Sequence, residues 1–262
     1  MLLSLADTHA HLADPAFQPN VASVVESALS ADVVRILAVG TNLKTSAACV
    51  RLASIYPSVF AAVGIHPQDV AGFDDVALSE LRRLASQPKV VAIGEIGLDN
   101  VRASVTPAEQ EIAFSAQVQL AADLGLPVVV HNRGADDAML RVISSTDRPD
   151  SLTGHAGVLH CFGGNADLAK RANDLGFRIS FAGNLTYRRS DALRAVAASV
   201  NLNWILLETD CPYLAPEPKR GKTNVPENVG YVARELAAIR SVSLEVIARE
   251  TSANAAALFS WT

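Results

Sequence analysis

His9 and His11 stand two residues apart, behind the apolar stretch 2–6. On a strand, side chains two apart point the same way, so Asp7, His9 and His11 would share one face with two imidazoles side by side. Such a pair can hold a metal ion, yet many His-x-His pairs only decorate a surface. This chain repeats the pattern. Further short aliphatic runs end in His66, in Glu95, in His131-Asn132-Arg133, in His160-Cys161 and in Glu208-Thr209-Asp210. Imidazole nitrogens and carboxylate oxygens are the donors that divalent ions accept. A lone histidine at a strand end more often satisfies a hydrogen bond than it binds a metal. Six such residues at equivalent places argue for a site. His9, His11, Glu95, His131, His160 and Asp210 are therefore the candidate ligands, a set suited to two divalent metal ions (Mg2+, Mn2+, Zn2+ or Co2+). His66 stays open between ligand, substrate contact and loop strut. His155 follows Gly154 in a loop and reads as structural.

The elements that must position these residues alternate along the whole chain. Strands are expected at Leu2–Ala6, Val33–Val39, Val59–Val63, Val90–Ile93, Val128–Val130, Val158–Leu159, Arg178–Phe181 and Trp204–Leu207. Most are unbroken apolar runs, the mark of parallel strands buried on both faces. Amphipathic stretches separate them: Val21–Ala31, Thr45–Ile55, Val76–Ala85, Pro107–Leu124, Ala135–Ser144, Asn165–Leu175 and Asp191–Ser199. Val229–Arg240 and Leu244–Phe259 follow the last strand. Thr106-Pro107-Ala108-Glu109 supplies a helix start, and Gly125 and Gly176 supply stops. Eight strand–helix units in this length spell an α/β fold, a single (β/α)8 TIM barrel of parallel strands over residues 1–262. An open doubly wound sheet is the rival, but no Gly-x-Gly-x-x-Gly follows the first strand. In a barrel, the C-terminal strand ends form one rim, so the six candidates converge. Proline and glycine between Cys211 and Pro226 mark a long loop over that rim.

Composition bounds the partners. The chain has 262 residues, half of them apolar, and a formal net charge of −5. That balance argues against nucleic-acid binding by bulk electrostatics and leaves room for a locally basic or metal-charged cleft. Cys49, Cys161 and Cys211 are odd in number and lack zinc-ribbon spacing, so a reducing, cytoplasmic setting is expected. No apolar run approaches a membrane span, and the start of the chain lacks the basic region of a signal peptide. No obligate protein partner is implied, and a monomer is the expectation.

With these pieces assembled, the sequence resembles the TatD-type deoxyribonucleases, members of a larger set of metal-dependent hydrolases on (β/α)8 barrels. The likeness rests on Asp-Thr-His-Ala-His at 7–11, Gly-Ile-His-Pro at 64–67 and Gly-Glu-Ile-Gly-Leu-Asp at 94–99. It continues through Pro-Val-Val-Val-His-Asn-Arg at 127–133, His-Cys-Phe-Gly-Gly at 160–164, Glu-Thr-Asp-Cys-Pro-Tyr-Leu at 208–214 and the loop 218–224. The resemblance implies that His9, His11 and Asp210 bind one metal, that His131 and His160 bind a second, and that Glu95 bridges both. It places His66 near the substrate phosphate. It implies hydrolysis of DNA, often trimming single strands from the 3′ end. Two positions depart from the family pattern. Asn100 and Val101 follow Asp99 where aromatics are usual, and Asn224-Val225-Pro226 replaces Asn-Glu-Pro. Hydrolysis of a small ester or amide, or of an aminoacyl-tRNA ester, is therefore the alternative.

The residues carry their own expectations for mechanism. Related barrels often bridge their metals with a carboxylated lysine, but no lysine lies between Lys89 and Lys170, which leaves Glu95 as the bridge. Asp210 is expected to orient a water activated between the ions or to accept its proton, as catalytic partner to Glu95. Asp7 and Glu208 are expected to stand behind the ligands and orient an imidazole or a rim cation. Arg133 and Arg220 are candidate substrate contacts, with Arg188, Arg189, Lys219 and Lys222 as further cations. Tyr187 and Tyr213 could stack bases or anchor loops. Cys161 and Cys211 are expected to point away from the site.

Overall fold

Every apolar run forms a strand, and all the strands pair in chain order. The structure is a computed structural model that describes residues 3–102, 104–146 and 154–261. Strands β1 (Leu5–Ala10), β2 (Val33–Val39), β3 (Val59–Val63) and β4 (Val90–Asp99) are followed by β5 (Val128–Arg133), β6 (Gly157–Leu159), β7 (Phe177–Phe181) and β8 (Ile205–Leu207). Each neighbour pair from β1–β2 to β7–β8 is parallel. The ring closes where Ala10 bridges Cys211 in parallel and the Asp210 N–H donates to the His9 carbonyl at 2.9 Å. The fold is a (β/α)8 TIM barrel. Among the described residues no helix is long and apolar enough to cross a membrane.

Helices α1 (Val21–Ser30), α2 (Leu43–Ile55), α3 (Asp75–Ala85), α4 (Pro107–Leu124), α5 (Asp136–Ser145), α6 (Ala166–Asp174) and α7 (Asp191–Ser199) alternate with the strands; α8 (Val229–Arg240) and α9 (Leu244–Phe259) follow β8. Their ends follow local chemistry. Thr106 and Glu109 satisfy each other's backbone N–H at the start of α4, and Gly125 ends it in the left-handed conformation at φ 65°. Asn42 and Thr45 form the same reciprocal cap on α2, so that helix begins two residues before the expected Thr45.

Three strands run differently from their apolar patterns. β1 spans Leu5–Ala10 rather than 2–6, β4 continues through Asp99, and β5 continues through Arg133. The reason is pairing. Ile96 to Asp99 lie in register with Val130 to Arg133, so the ligand-type residues belong to the ladder and not to the loops after it. Gly97 makes this approach possible. It sits opposite His131 at φ +143°, and a Cβ there would collide with the His131 carbonyl oxygen.

The barrel interior holds Ala6, Leu37, Phe60, Ala62, Ala92, Val129, Val158 and Leu206 as a cluster separate from the strand–helix core. Its N-terminal end is plugged by α9. Leu258, Phe259 and Trp261 join that cluster, and Trp261 lies 5.3 Å from Phe60 ring to ring. Asn254 donates to the Leu202 and Ile205 carbonyls, and Ser252 to the Ser4 carbonyl, which pins α9 beneath β8 and β1. The opposite end of the barrel is therefore the end left for polar residues. Truncating the plug should cost stability alone: Phe259→Ala is expected to lose about 3–5 kcal/mol in urea unfolding, with metal stoichiometry of the folded protein unchanged.

Candidate metal centre

Glu95 enters the C-terminal mouth of the barrel from β4 and is 3 % exposed. The strand register shifts between Ile93 and Ile96, which frees this residue from simple alternation. Its two oxygens face different partners. Oε2 lies 3.4 Å from His9 Nε2 and 3.7 Å from His11 Nε2. Oε1 lies 2.8 Å from His160 Nε2, 3.0 Å from His131 Nδ1 and 3.4 Å from His66 Nε2.

Around Oε2 the geometry is that of a ligand shell. His9 Nε2 and His11 Nε2 are 3.3 Å apart, and Asp210 Oδ1 is 3.3 Å from His11 and 3.8 Å from His9. Four donors held about 2.0–2.1 Å from one centre stand about 3.3 Å apart in a tetrahedron. The observed separations of 3.3–3.8 Å fit that arrangement slightly expanded. Around Oε1, His131 Nδ1 and His160 Nε2 are 3.3 Å apart and complete a second group. Donor chemistry and spacing both fit divalent ions.

Hydrogen bonds behind the imidazoles set which nitrogen is free. His11 Nδ1 donates to the Val39 carbonyl at 3.3 Å, leaving Nε2 as the nitrogen that faces Glu95 and Asp210. His131 Nε2 donates to Asp99 at 3.2 Å, leaving Nδ1 toward Glu95. His66 is the opposite case: its Nδ1 accepts the Gln68 N–H at 3.1 Å, so in the neutral ring the proton sits on Nε2. In that tautomer His66 presents a donor to the site, although with Glu95 and His131 it also forms a group spaced closely enough to hold a metal ion. Glu208 stands within 4.8 Å of His9 and His160 and is 3.5 Å from His160 Nδ1. Its Oε1 also accepts the Cys161 N–H at 2.6 Å.

The electrostatics follow from burial and proximity. Burial would raise the Glu95 pKa, but the charges of His160 and His66 and the hydrogen bonds of His131 and His160 hold it well below the usual range. Asp210 is likewise held down against burial, by its bond to His11 and the neighbouring imidazoles. Burial would lower His11 and His160. Asp210 and Glu95 raise His11, whereas Glu95 and Glu208 carry His160 well above its ordinary value. His9, buried beside His160, is lowered.

All six candidate ligands meet at one place. Several neighbours differ from expectation. Asp7 orients no imidazole ring. Its carboxylate accepts the Thr209 N–H at 2.9 Å, the Thr209 hydroxyl at 2.6 Å and the His9 N–H at 3.3 Å, tying β1 to the chain after β8. The register of β1 shifts between Asp7 and Ala10, which breaks the two-residue parity assumed for Asp7 and His9. Burial pushes the Asp7 carboxyl up to about 8 in spite of those three donors. Cys161 takes the left-handed conformation at φ 44° and does not turn away. Its thiol is half-buried and, after burial itself, the charges of Asp210, Glu208 and Glu95 push it up. Cys211 does pack inward. Asp99, seen in the sequence only as part of a motif, is the partner of His131. The contact follows from the register that pairs Asp99 with Arg133, two residues past His131, and no sequence signal marked it.

Arg133 is half-buried at the end of β5 and makes no ion pair among the described residues. Arg220 is exposed and stacks over Tyr187 at 4.0 Å. Tyr213 is 56 % exposed, its ring 5.9 Å from that of His11. His155 lies away from the site, against Arg178 at 3.3 Å. The departure at Val225 leaves the rim loop anchored. Buried Asn224 donates to the Thr209 and Tyr213 carbonyls and accepts from Asn228.

A profile of the family described as TatD related DNase matches residues 6–260. The chain is 38 % identical over 258 residues to the Escherichia coli (strain K12) metal-dependent hydrolase YcfH, covering 97 % of this chain and 95 % of that one. It is 35 % identical to the protein named 3'-5' ssDNA/RNA exonuclease TatD of Klebsiella pneumoniae (strain 342), covering 97 % of each. Its backbone superposes on the crystal structure of YJJV, a TatD homologue from E. coli K12, with a TM-score of 0.91, 31 % identity and 99 % of each chain covered.

Two outcomes follow from the ligand geometry. His9→Ala should lose one ion by elemental analysis while thermal unfolding stays cooperative; global unfolding would make the motif structural. Because His11 and His160 are raised in the metal-free protein, their protons must leave when metal binds. Calorimetry in buffers of different ionisation enthalpy should show net proton release near neutral pH and affinity rising with pH.

Proposed function

The chain belongs to the TatD-related DNase family, and from that premise we propose that it is a phosphodiesterase that trims single-stranded DNA from its 3′ end with two divalent ions. Membership makes it a metal-dependent hydrolase. The finer reading rests on one observation: the two oxygens of buried Glu95 face different imidazoles, Oε2 those of His9 and His11 and Oε1 those of His131 and His160.

His9, His11 and Asp210 would hold one ion, His131 and His160 the other, with Glu95 shared between them. When bound, divalent ions supply the Lewis acidity that brings the pKa of water from about 15.7 toward about 7. The chain's own groups do the rest. Asp210 turns Oδ1 to His11 and His9, which leaves Oδ2 to orient the attacking water and take its proton. His66, with its proton on Nε2, donates to a phosphate oxygen or to the leaving group. Arg133 and Arg220 hold the flanking phosphates. Asp99 keeps His131 turned toward Glu95, Glu208 stands as a negative charge beside His160, and Asp7 fixes the backbone that carries His9 against Thr209.

The test is a substrate panel on metal-stripped protein with Mg2+, Mn2+, Zn2+ or Co2+ restored. Single-stranded DNA should shorten from its 3′ end, faster than duplex DNA or generic esters. Asp210→Asn should lose about 10²- to 10⁴-fold in kcat. Undiminished cleavage by Asp210→Asn would remove Asp210 from the chemistry, and turnover of esters alone would favour the small-ester reading.

A further inference from the structure

Two rim segments lie side by side beyond β7 and β8, residues 182–190 and 211–225. The Glu217 N–H donates to Thr186 Oγ1 at 2.9 Å, and the Tyr187 hydroxyl donates to the Ala215 carbonyl at 3.2 Å. Their backbones approach so closely that a Cβ on Gly183 would collide with the Leu214 carbonyl oxygen. Asn224 fastens the second segment to Thr209, directly before Asp210. The two segments therefore form one fixed platform joined to the site.

The platform's charge runs against the rest of the molecule. It carries Arg188, Arg189, Lys219, Arg220 and Lys222 against a single carboxylate, Glu217, in a chain of net charge −5. All but half-buried Lys219 are exposed. Among the described residues none of the five pairs with a carboxylate. Elsewhere Arg82, Arg83, Lys170, Arg171, Arg194 and Arg249 sit against carboxylates, while cations such as Arg35 and Arg51 do not; what sets the platform apart is five cations against one carboxylate within two adjoining rim segments. Unpaired cations gathered on one side of a mouth otherwise built from acids and imidazoles call for an anion with several charges in a row. A small ester supplies at most one. A duplex would bury its base faces, whereas Tyr213, on the same platform and edge-on to His11, keeps more than half of its surface exposed where a base could stack.

We propose that this platform is a backbone track for single-stranded DNA, on which Arg188, Arg189 and Lys222 hold successive phosphates of the strand whose end lies in the metal centre. The proposal rests on the phosphodiesterase reading above. It makes affinity depend on strand length, because only a strand several nucleotides long reaches the track. It also makes binding salt-sensitive, since each phosphate held on a single strand contributes about 0.7 to the slope of log K against log salt.

The test is the variant Arg188→Gln/Arg189→Gln/Lys222→Gln, made in the full chain. With metal restored, the preference for a 12-nucleotide oligothymidylate over the dinucleotide, in kcat/KM, should fall about tenfold or more, and the salt slope for the 12-mer should shrink by about 2. An unchanged preference and slope would overturn the track. Fluorescence anisotropy of the labelled 12-mer on Asp210→Asn, with and without the three substitutions, separates this proposal from the one it rests on. If the wild type cleaves no DNA but binding still weakens with the three substitutions, the track stands and the phosphodiesterase reading fails. If binding ignores them, the track fails whatever the activity.

Discussion

A carboxylate buried in the mouth of the barrel sets the terms for everything around it. Glu95 is almost wholly out of water, and a charge there is tolerable only if both oxygens are compensated. Five imidazoles supply that compensation, from β1, from the turn after β3, from the end of β5 and from the chain after β6. His131 and His160 meet because β5 and β6 are neighbours, whereas the histidines of β1 reach Glu95 on β4 and His160 only across the barrel mouth. The barrel is what makes the carboxylate affordable, and the carboxylate turns one oxygen to His9 and His11 and the other to His131 and His160.

Closure of the sheet carries the same logic to Asp210. His9 and His11 leave β1 at the place where Ala10 bridges Cys211, so the seam between first and last strands passes through one ligand group. Asp7 locks that seam through Thr209, and Asn224 reaches the same residue from the rim loop. Behind the candidate ligands stand further partners: the Val39 carbonyl and Asp99 accept from His11 and His131, and Glu208 lies 3.5 Å from His160 Nδ1 as a charge partner. Such hydrogen bonds decide which ring nitrogen faces inward. They also distinguish His66, which the Gln68 N–H turns into a donor. Beyond these partners, the fused β7 and β8 rim segments add charge of the opposite sign.

Much of this was legible in the residues. Unbroken aliphatic runs with polar ends predicted eight parallel strands and placed the six ligand candidates on one rim, because both follow from burial on two faces. The strand limits of β1, β4 and β5 were not legible. Apolar pattern stops at the first polar residue, whereas the ladder continues wherever a neighbour offers N–H and C=O groups, as Val130 to Arg133 do for Ile96 to Asp99. Asp7 and Cys161 misled for a related reason. Parity arguments assume regular pleat, and the register shift after Asp7 and the left-handed turn at Cys161 both break it. The donor state of His66 rests on one backbone N–H two residues on, which no composition or spacing reveals.

The proposed sharing of Glu95 between two metal ions is tested most directly by elemental analysis of reconstituted protein. Wild type should hold about two divalent ions per chain, His131→Ala about one, and Glu95→Ala well under one at the same free-metal concentration, with the barrel still folded. Retention of two ions by folded Glu95→Ala would contradict it.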